Sequence, residues 1–124
     1  MANPAPGFKA HPDHTIDVEP LDGTVEVFAK GQLIAHSVRA LILTEASYPP
    51  VVYMPLGDVL APMEKTQTAT HCPFKGDASY YSVSAAGETI TDALWAYENP
   101  FDEMRAITGF AAFYPDRVDE IKVG

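Results

Sequence analysis

The sequence predicts a mainly β domain, a small antiparallel two-sheet sandwich or partly open barrel with one or two short helices. Three features predict it: about eight short β-rich runs, turn residues between nearly all of them, and no alternation of strands with long helical segments. At 124 residues and 47% hydrophobic, the chain has enough apolar material for one core but too little length for two. The expected division is an N-terminal arm over residues 1–23 and a single all-β domain over 24–124.

The arm carries Pro4, Pro6, Pro12 and Pro20. Proline gives a sheet no backbone donor, so this segment is expected to be extended and only partly tied down. Residues 24–29 place Val25, Val27 and Ala29 on one face, turn at Lys30-Gly31, and return through Leu33, Ala35 and Ser37. That pattern predicts a hairpin. Residues 40–44 and 51–54 form two further strands on either side of the breaker Tyr48-Pro49-Pro50. Gly57, between Pro55 and Pro62, limits 56–60 to a single helical turn.

Residues 66–70 read as a polar, threonine-rich strand, 72–76 as a tight loop, and 78–84 as a strand with Tyr80 and Tyr81 on opposite faces. After Gly87 come the runs 88–91 and 93–97. In the second, Leu94 and Ala96 oppose Trp95 and Tyr97 before Asn99-Pro100 stops it. Phe101, Met104 and Ile107 recur at spacing three behind Asp102 and Glu103, which predicts a helix over 101–108. Residues 110–114 are a late strand, and Val118, Ile121 and Val123 fit either strand or loop.

Eight lysines and arginines face 17 aspartates and glutamates, and a net charge of -9 repels phosphate backbones and anionic lipid. No nucleic-acid or membrane partner is expected. A single cysteine, Cys72, excludes an intrachain disulfide and a multi-cysteine zinc site. Residues 1–10 lack the basic and apolar segments of a secretory signal, and the expected location is cytoplasmic. No metal or cofactor is expected: His11-Pro12-Asp13-His14 offers ligand types, but on an arm that does not hold a third or fourth ligand rigidly. His36 faces out of the first hairpin as a solvent or rim residue.

The chemistry concentrates in Thr70-His71-Cys72-Pro73-Phe74-Lys75-Gly76, which puts a thiol, an imidazole and an ammonium in one loop. Lys75 either binds an anion or favours the Cys72 thiolate, the nucleophilic form. Alternatively, Cys72 is a small buried hydrophobe and Lys75 points to solvent. Arg39 and Glu45 are a second set, able to meet at a common ligand or to pair with each other, with Arg39 a natural fork for carboxylate or phosphate. Tyr53, Tyr80, Tyr81, Trp95, Tyr97 and Tyr114 supply amphipathic rings suited to a ligand pocket or to core packing.

With these residues in view, the sequence resembles the domain of unknown function 427 family, also labelled nucleotidyltransferase-like, from Val25 onward. The resemblance rests on Arg39 with Leu43 and Glu45, Tyr53-Met54-Pro55 with Asp58-Val59, and Thr70 with Cys72-Pro73-Phe74-Lys75-Gly76. It continues through Tyr80-Tyr81, Trp95-Ala96-Tyr97 with Pro100, and the run from Gly109 to Tyr114. The resemblance implies an Mss4-like, β-tent type fold, two sheets leaning together over an open cleft. Zinc-bearing proteins of that grouping hold the metal with paired Cys-x-x-Cys motifs, and this chain has neither pair. Phosphoryl transfer needs clustered carboxylates for Mg²⁺ and a phosphate cradle, and neither motif is readable here.

The expected function is that of a small-ligand-binding domain. Its cleft is lined by Arg39, Glu45, Tyr53, Lys75, Tyr80, Trp95 and Tyr97, with the cations favouring an anionic or polar metabolite. One alternative is a cysteine-dependent enzyme in which Cys72 is the nucleophile and Glu45 or His71 handles protons. The other is a protein–protein interaction module presenting an acidic surface or a free strand edge. Nothing in the pattern fixes an oligomeric state.

Overall fold

The computed structural model describes residues 3–124, and among these the chain forms ten strands in two antiparallel sheets. The strands are β1 (Ile16–Pro20), β2 (Val25–Ala29), β3 (Gln32–Ser37), β4 (Leu41–Glu45), β5 (Val51–Pro55), β6 (Met63–Cys72), β7 (Gly76–Ala85), β8 (Glu88–Ala96), β9 (Phe110–Phe113) and β10 (Glu120–Val123). The large sheet runs β1-β4-β5-β9-β8-β7-β6 and the small one β10-β2-β3. With β1 and β6 unpaired on their outer sides, the large sheet stays open and is not a barrel.

Alternation along the strands sends side chains to two cores. Val25, Val27 and Ile34 of the small sheet pack against Met54, Val83, Leu94, Ala96 and Phe113 of the large one. Each fully buried Val, Leu or Ile of this kind contributes about 1.5–3 kcal/mol. The opposite face of the large sheet buries Leu43, Tyr53, Ala78, Tyr80, Tyr97 and Ala112 under Met104 and Ile107. Sheet–sheet packing is therefore aliphatic, whereas the far face is built from aromatic rings. Leu94 and Ala96 oppose Trp95 and Tyr97, and Tyr80 opposes Tyr81, as the period of two requires.

Several expectations are corrected in detail. The segment before Val25 contains a short helix, α1 (Pro6–Ala10), and the edge strand β1, which pairs with β4 from Ile16↔Glu45 to Pro20↔Leu41. Pro20 is tolerated because it ends an edge strand, where a missing N–H leaves no partner unsatisfied. Ordering continues upstream: the N–H groups of Asn3 and Ala5 donate to Asp102 and Glu103, and that of Gly7 donates to the Pro73 carbonyl. The polar run at 66–70 is the middle of the longer β6, and the runs expected at 88–91 and 93–97 merge into one strand, β8, which ends at Ala96 and is interrupted at Asp92 with φ 49.

Asp92 takes this left-handed conformation while its carboxylate accepts from Thr66 Oγ1 and Thr68 Oγ1, both at 2.7 Å. Those two threonines sit where β6 shifts register against β7, between Lys65 and Ala69. At the other end of β7, Ala86 (φ 50) and Gly87 (φ 77) make the two-residue turn into β8.

The helix expected over 101–108 is a six-residue 3₁₀ segment, Asp102–Ile107, kinked at Met104. Its buried residues, Met104 and Ile107, are three apart, which is the 3₁₀ period as much as the α one. The kink at Met104, with φ -112 and ψ 22, breaks the α-helical run. Ile121 and Val123 resolve in favour of β10, paired with β2 from Glu120↔Phe28 to Val123↔Val25, while Val118 lies in the bend before it. No helix of the described residues is long and apolar enough to cross a membrane.

Candidate functional site

Glu45 ends β4 opposite Ile16 and lies two residues from Leu43, so its side chain shares the aromatic face of the large sheet. Lys75 closes the tight loop between β6 and β7. The Gly76 that follows has φ +118, a conformation glycine alone adopts freely, and its Cα hydrogens face Pro100 and Phe101. That turn, with the Phe101 N–H donating to the Lys75 carbonyl, folds the Lys75 side chain inward until it is 10% exposed.

The result is a charged cluster at one end of the aromatic face. Lys75 Nζ donates to Glu45 Oε1 at 2.5 Å and lies 3.9 Å from Cys72 Sγ, while His14 Nε2 meets Glu45 Oε2 at 2.8 Å. Burial pushes the Glu45 carboxyl up, but the hydrogen bonds and charges of Lys75 and His14 outweigh it and hold it below the usual glutamate range. Phe74 stacks on the His14 ring with centroids 3.9 Å apart, and Phe8 of α1 meets Phe74 edge-on at 5.0 Å. The N-terminal arm thus roofs the cluster.

Beside it, the phenol of Tyr53 accepts from Trp95 Nε1 at 3.2 Å. Tyr114 donates to the Tyr80 hydroxyl at 3.3 Å, which also meets Thr70 Oγ1 at 3.0 Å. Burial pushes the Tyr53 and Tyr97 hydroxyls above the ordinary tyrosine range, and the Trp95 hydrogen bond only partly offsets this at Tyr53. Burial, with the Tyr80 hydrogen bond adding to it, pushes Tyr114 up to about 12. All three stay protonated at neutral pH, and Tyr114 already donates its hydrogen bond to Tyr80.

Of the residues singled out from the sequence, Glu45, Tyr53, Cys72, Lys75, Tyr80, Trp95 and Tyr97 come together on this face. Arg39 does not join them. Its guanidinium pairs with Asp58 Oδ1 at 3.1 Å, and Asp58 in turn accepts from Ser37 Oγ, so Arg39 fastens the end of β3 to the 3₁₀ turn Leu56–Asp58 that follows β5. Its side chain is 66% exposed, and Glu45 takes Lys75 and His14 as partners instead. His71 points the other way from Cys72, into an exposed pair with Asp77. His36 is exposed, as is His11, whose ring lies 6.3 Å from that of Phe74, and only His14 of the three reaches Glu45.

Sequence reasoning weighed His14 only as a metal-ligand type and missed its contact with Glu45, the Phe8–Phe74 roof and the Thr70–Tyr80–Tyr114 hydroxyl chain. The signal for His14 was the alternation of His14, Ile16 and Val18 with Asp13, Asp17 and Glu19, which marks an edge strand with one buried face.

Two cavities of about 130 and 140 Å³ lie outside the charged cluster. The first runs along Met63, Ser82 and Val83. The second lies between Val51, Phe113 and Ile121 and shares Trp95 with the aromatic face. Both are smaller than the roughly 300 Å³ at which ordinary ligand pockets begin.

The depressed Glu45 ionisation fixes the sign of an acid effect. A carboxyl whose folded value lies below its unfolded one adds stability above the unfolded value of 4.5 and loses it as pH falls through the folded one. Asp92, held down by Thr66 and Thr68, and Glu98, held down by Lys65, act in the same direction. Urea midpoints measured from about pH 6 down to about pH 3 are expected to fall less steeply in Glu45→Gln than in the wild type. Identical slopes would assign the acid sensitivity to the other carboxylates.

These features define a class: an open two-sheet β domain with a charged cluster set into an aromatic sheet face. A family described as a domain of unknown function, DUF427, matches residues 17–124, and the chain belongs to that family. No curated protein matches the chain.

Proposed function

We propose that the chain is a small-ligand-binding domain whose site is the Glu45–Lys75 pair with the tyrosines beside it, and that the ligand is a small anionic or polar metabolite. One observation carries this reading: an ion pair only 10% and 17% exposed at its two side chains. Removing two charges from water costs several kcal/mol each and is repaid poorly in a small domain, so buried pairs in such a place mark candidate sites. Lys75 is the cation for an anionic ligand group, and Glu45 is the partner that group displaces. The hydroxyls of Tyr53, Tyr80 and Tyr97 line the site as polar contacts, and the roof formed by His14, Phe74 and Phe8 lifts to admit the ligand.

The same reading places the protein in the cytoplasm, consistent with one free thiol, and without a nucleic-acid or membrane partner. The Mss4-like, β-tent grouping belongs to it too, supported by the two open antiparallel sheets.

The test is a thermal-shift screen against nucleotides, sugar phosphates, organic acids and amino acids, with Lys75→Met, Glu45→Gln and Arg39→Ala beside the wild type. One ligand class is expected to raise Tm in the wild type and in Arg39→Ala but not in Lys75→Met. A ligand at 100 times its Kd adds about 2.7 kcal/mol, which is readily seen in a domain of this size. No shift with any class, or a shift retained in Lys75→Met, overturns the assignment.

A second reading is favoured by the 3.9 Å approach of Lys75 Nζ to Cys72 Sγ, which sets an ammonium beside the only thiol. It makes Cys72 the nucleophile of an enzyme acting on a small electrophilic or acyl substrate, with Glu45 taking up the proton. Cys72 alkylation in the folded protein faster than in the urea-unfolded chain at the same pH favours it. A thiol inert until unfolding removes it.

A further inference from the structure

We propose that Cys72 and Lys75 form a site of oxidative cross-linking, in which a hydroperoxide joins the sulfur to the lysine nitrogen through one bridging oxygen. The proposal stands on placement and does not depend on the ligand-binding reading. The tight loop turns Lys75 back so that Nζ lies 3.9 Å from Sγ and 2.5 Å from Glu45 Oε1. Cys72 is half-buried and is the only thiol in the chain, so no second cysteine competes for an oxidised sulfur. The other lysines, Lys9, Lys30, Lys65 and Lys122, are exposed, whereas Lys75 is held in place. Inserting an oxygen closes a 3.9 Å gap with less movement than a direct sulfur–nitrogen bond.

The electrons balance over two molecules of hydrogen peroxide. The first takes two electrons from sulfur, giving the Cys72 sulfenic acid and one water. Lys75 then passes its ammonium proton to Glu45 and on to solvent, leaving the free amine. The second peroxide takes two electrons as nitrogen bonds to the sulfenic oxygen, giving the S–O–N bridge and two waters. The bridged nitrogen is no longer an ammonium, so oxidation removes the buried cation and leaves Glu45 with His14 alone.

The experiment treats the folded full chain with hydrogen peroxide, follows intact mass and maps tryptic peptides. The expected product gains one oxygen and loses two hydrogens. Trypsin no longer cuts after Lys75, so one peptide runs from Thr66 to Arg105, and dithiothreitol restores both the mass and the cut. Lys75→Arg is expected to lose this peptide and Lys65→Arg to keep the bridge. Three results overturn the proposal: a Cys72 sulfenic acid captured by dimedone with Lys75 still cleaved, oxidation only to sulfinic or sulfonic acid, or an unchanged thiol. The wild-type peptide map decides the matter even where a variant folds poorly.

Discussion

Replacing Lys75 with methionine is expected to destabilise the domain by about 3 kcal/mol, roughly 10 °C or more in Tm for a chain of this length. Methionine keeps most of the volume and the apolar stem, so little of the loss comes from packing. The cost arises at Glu45, whose carboxylate is left in a site 17% exposed without its 2.5 Å partner. Breaking a buried pair typically costs about 3–5 kcal/mol, and the residual His14 contact places this case at the lower end. Urea unfolding of Lys75→Met, Glu45→Gln and the double variant closes the cycle. The double variant is expected to lose less than the sum of the singles by about 1 kcal/mol or more, because the uncompensated charge is gone. Additive losses would show that the two side chains do not act as a pair.

The second large effect is expected at Gly76. Its φ of +118 strains any side chain, and an added Cβ would lie 3.3 Å from Pro100 Cα and 3.4 Å from the Phe101 nitrogen, backbone atoms with little freedom to yield. Gly76→Ala should cost about 2 kcal/mol or more. The hydrogen bond from Phe101 to the Lys75 carbonyl crosses the same contact, so the substitution also loosens the loop that aims Lys75 at Glu45. Gly87→Ala is the control. That glycine also has positive φ, 77, but nothing lies within 4 Å of its added Cβ, and the expected loss is about 1 kcal/mol. Equal losses at the two positions would show that crowding against Pro100 contributes nothing.

Legibility in the sequence followed the strength of the period-two signal. Strands with one aliphatic and one aromatic face, such as β5 and β8, announced themselves, and with them the face that carries Tyr53, Trp95 and Tyr97. β1 was hidden because Pro12 and Pro20 drew its segment into a proline-rich arm, although Ile16 and Val18 alternate with Asp17 and Glu19. His14 stayed hidden with it, since its role depends on the Ile16↔Glu45 register. Lys75 and Cys72 could be singled out because they share one tight loop. The Arg39 partnership could not, because Asp58 is far along the chain and nothing in the local spacing favours it over Glu45. Residues meeting within a turn are set by local geometry, whereas those meeting across strands are set by register, which a single sequence specifies weakly.

Among the described residues β6 has an outer margin of ten residues with no neighbouring strand, a length at which a flat edge would recruit a second chain. The register shift between Lys65 and Ala69 divides that margin into two short pieces. With Thr66 and Thr68 turned back onto Asp92, an incoming strand would meet a bend where it needs a straight ladder of donors and acceptors. The Asp92 clamp, remote from the charged cluster, thereby leaves this edge poorly shaped to accept a further strand.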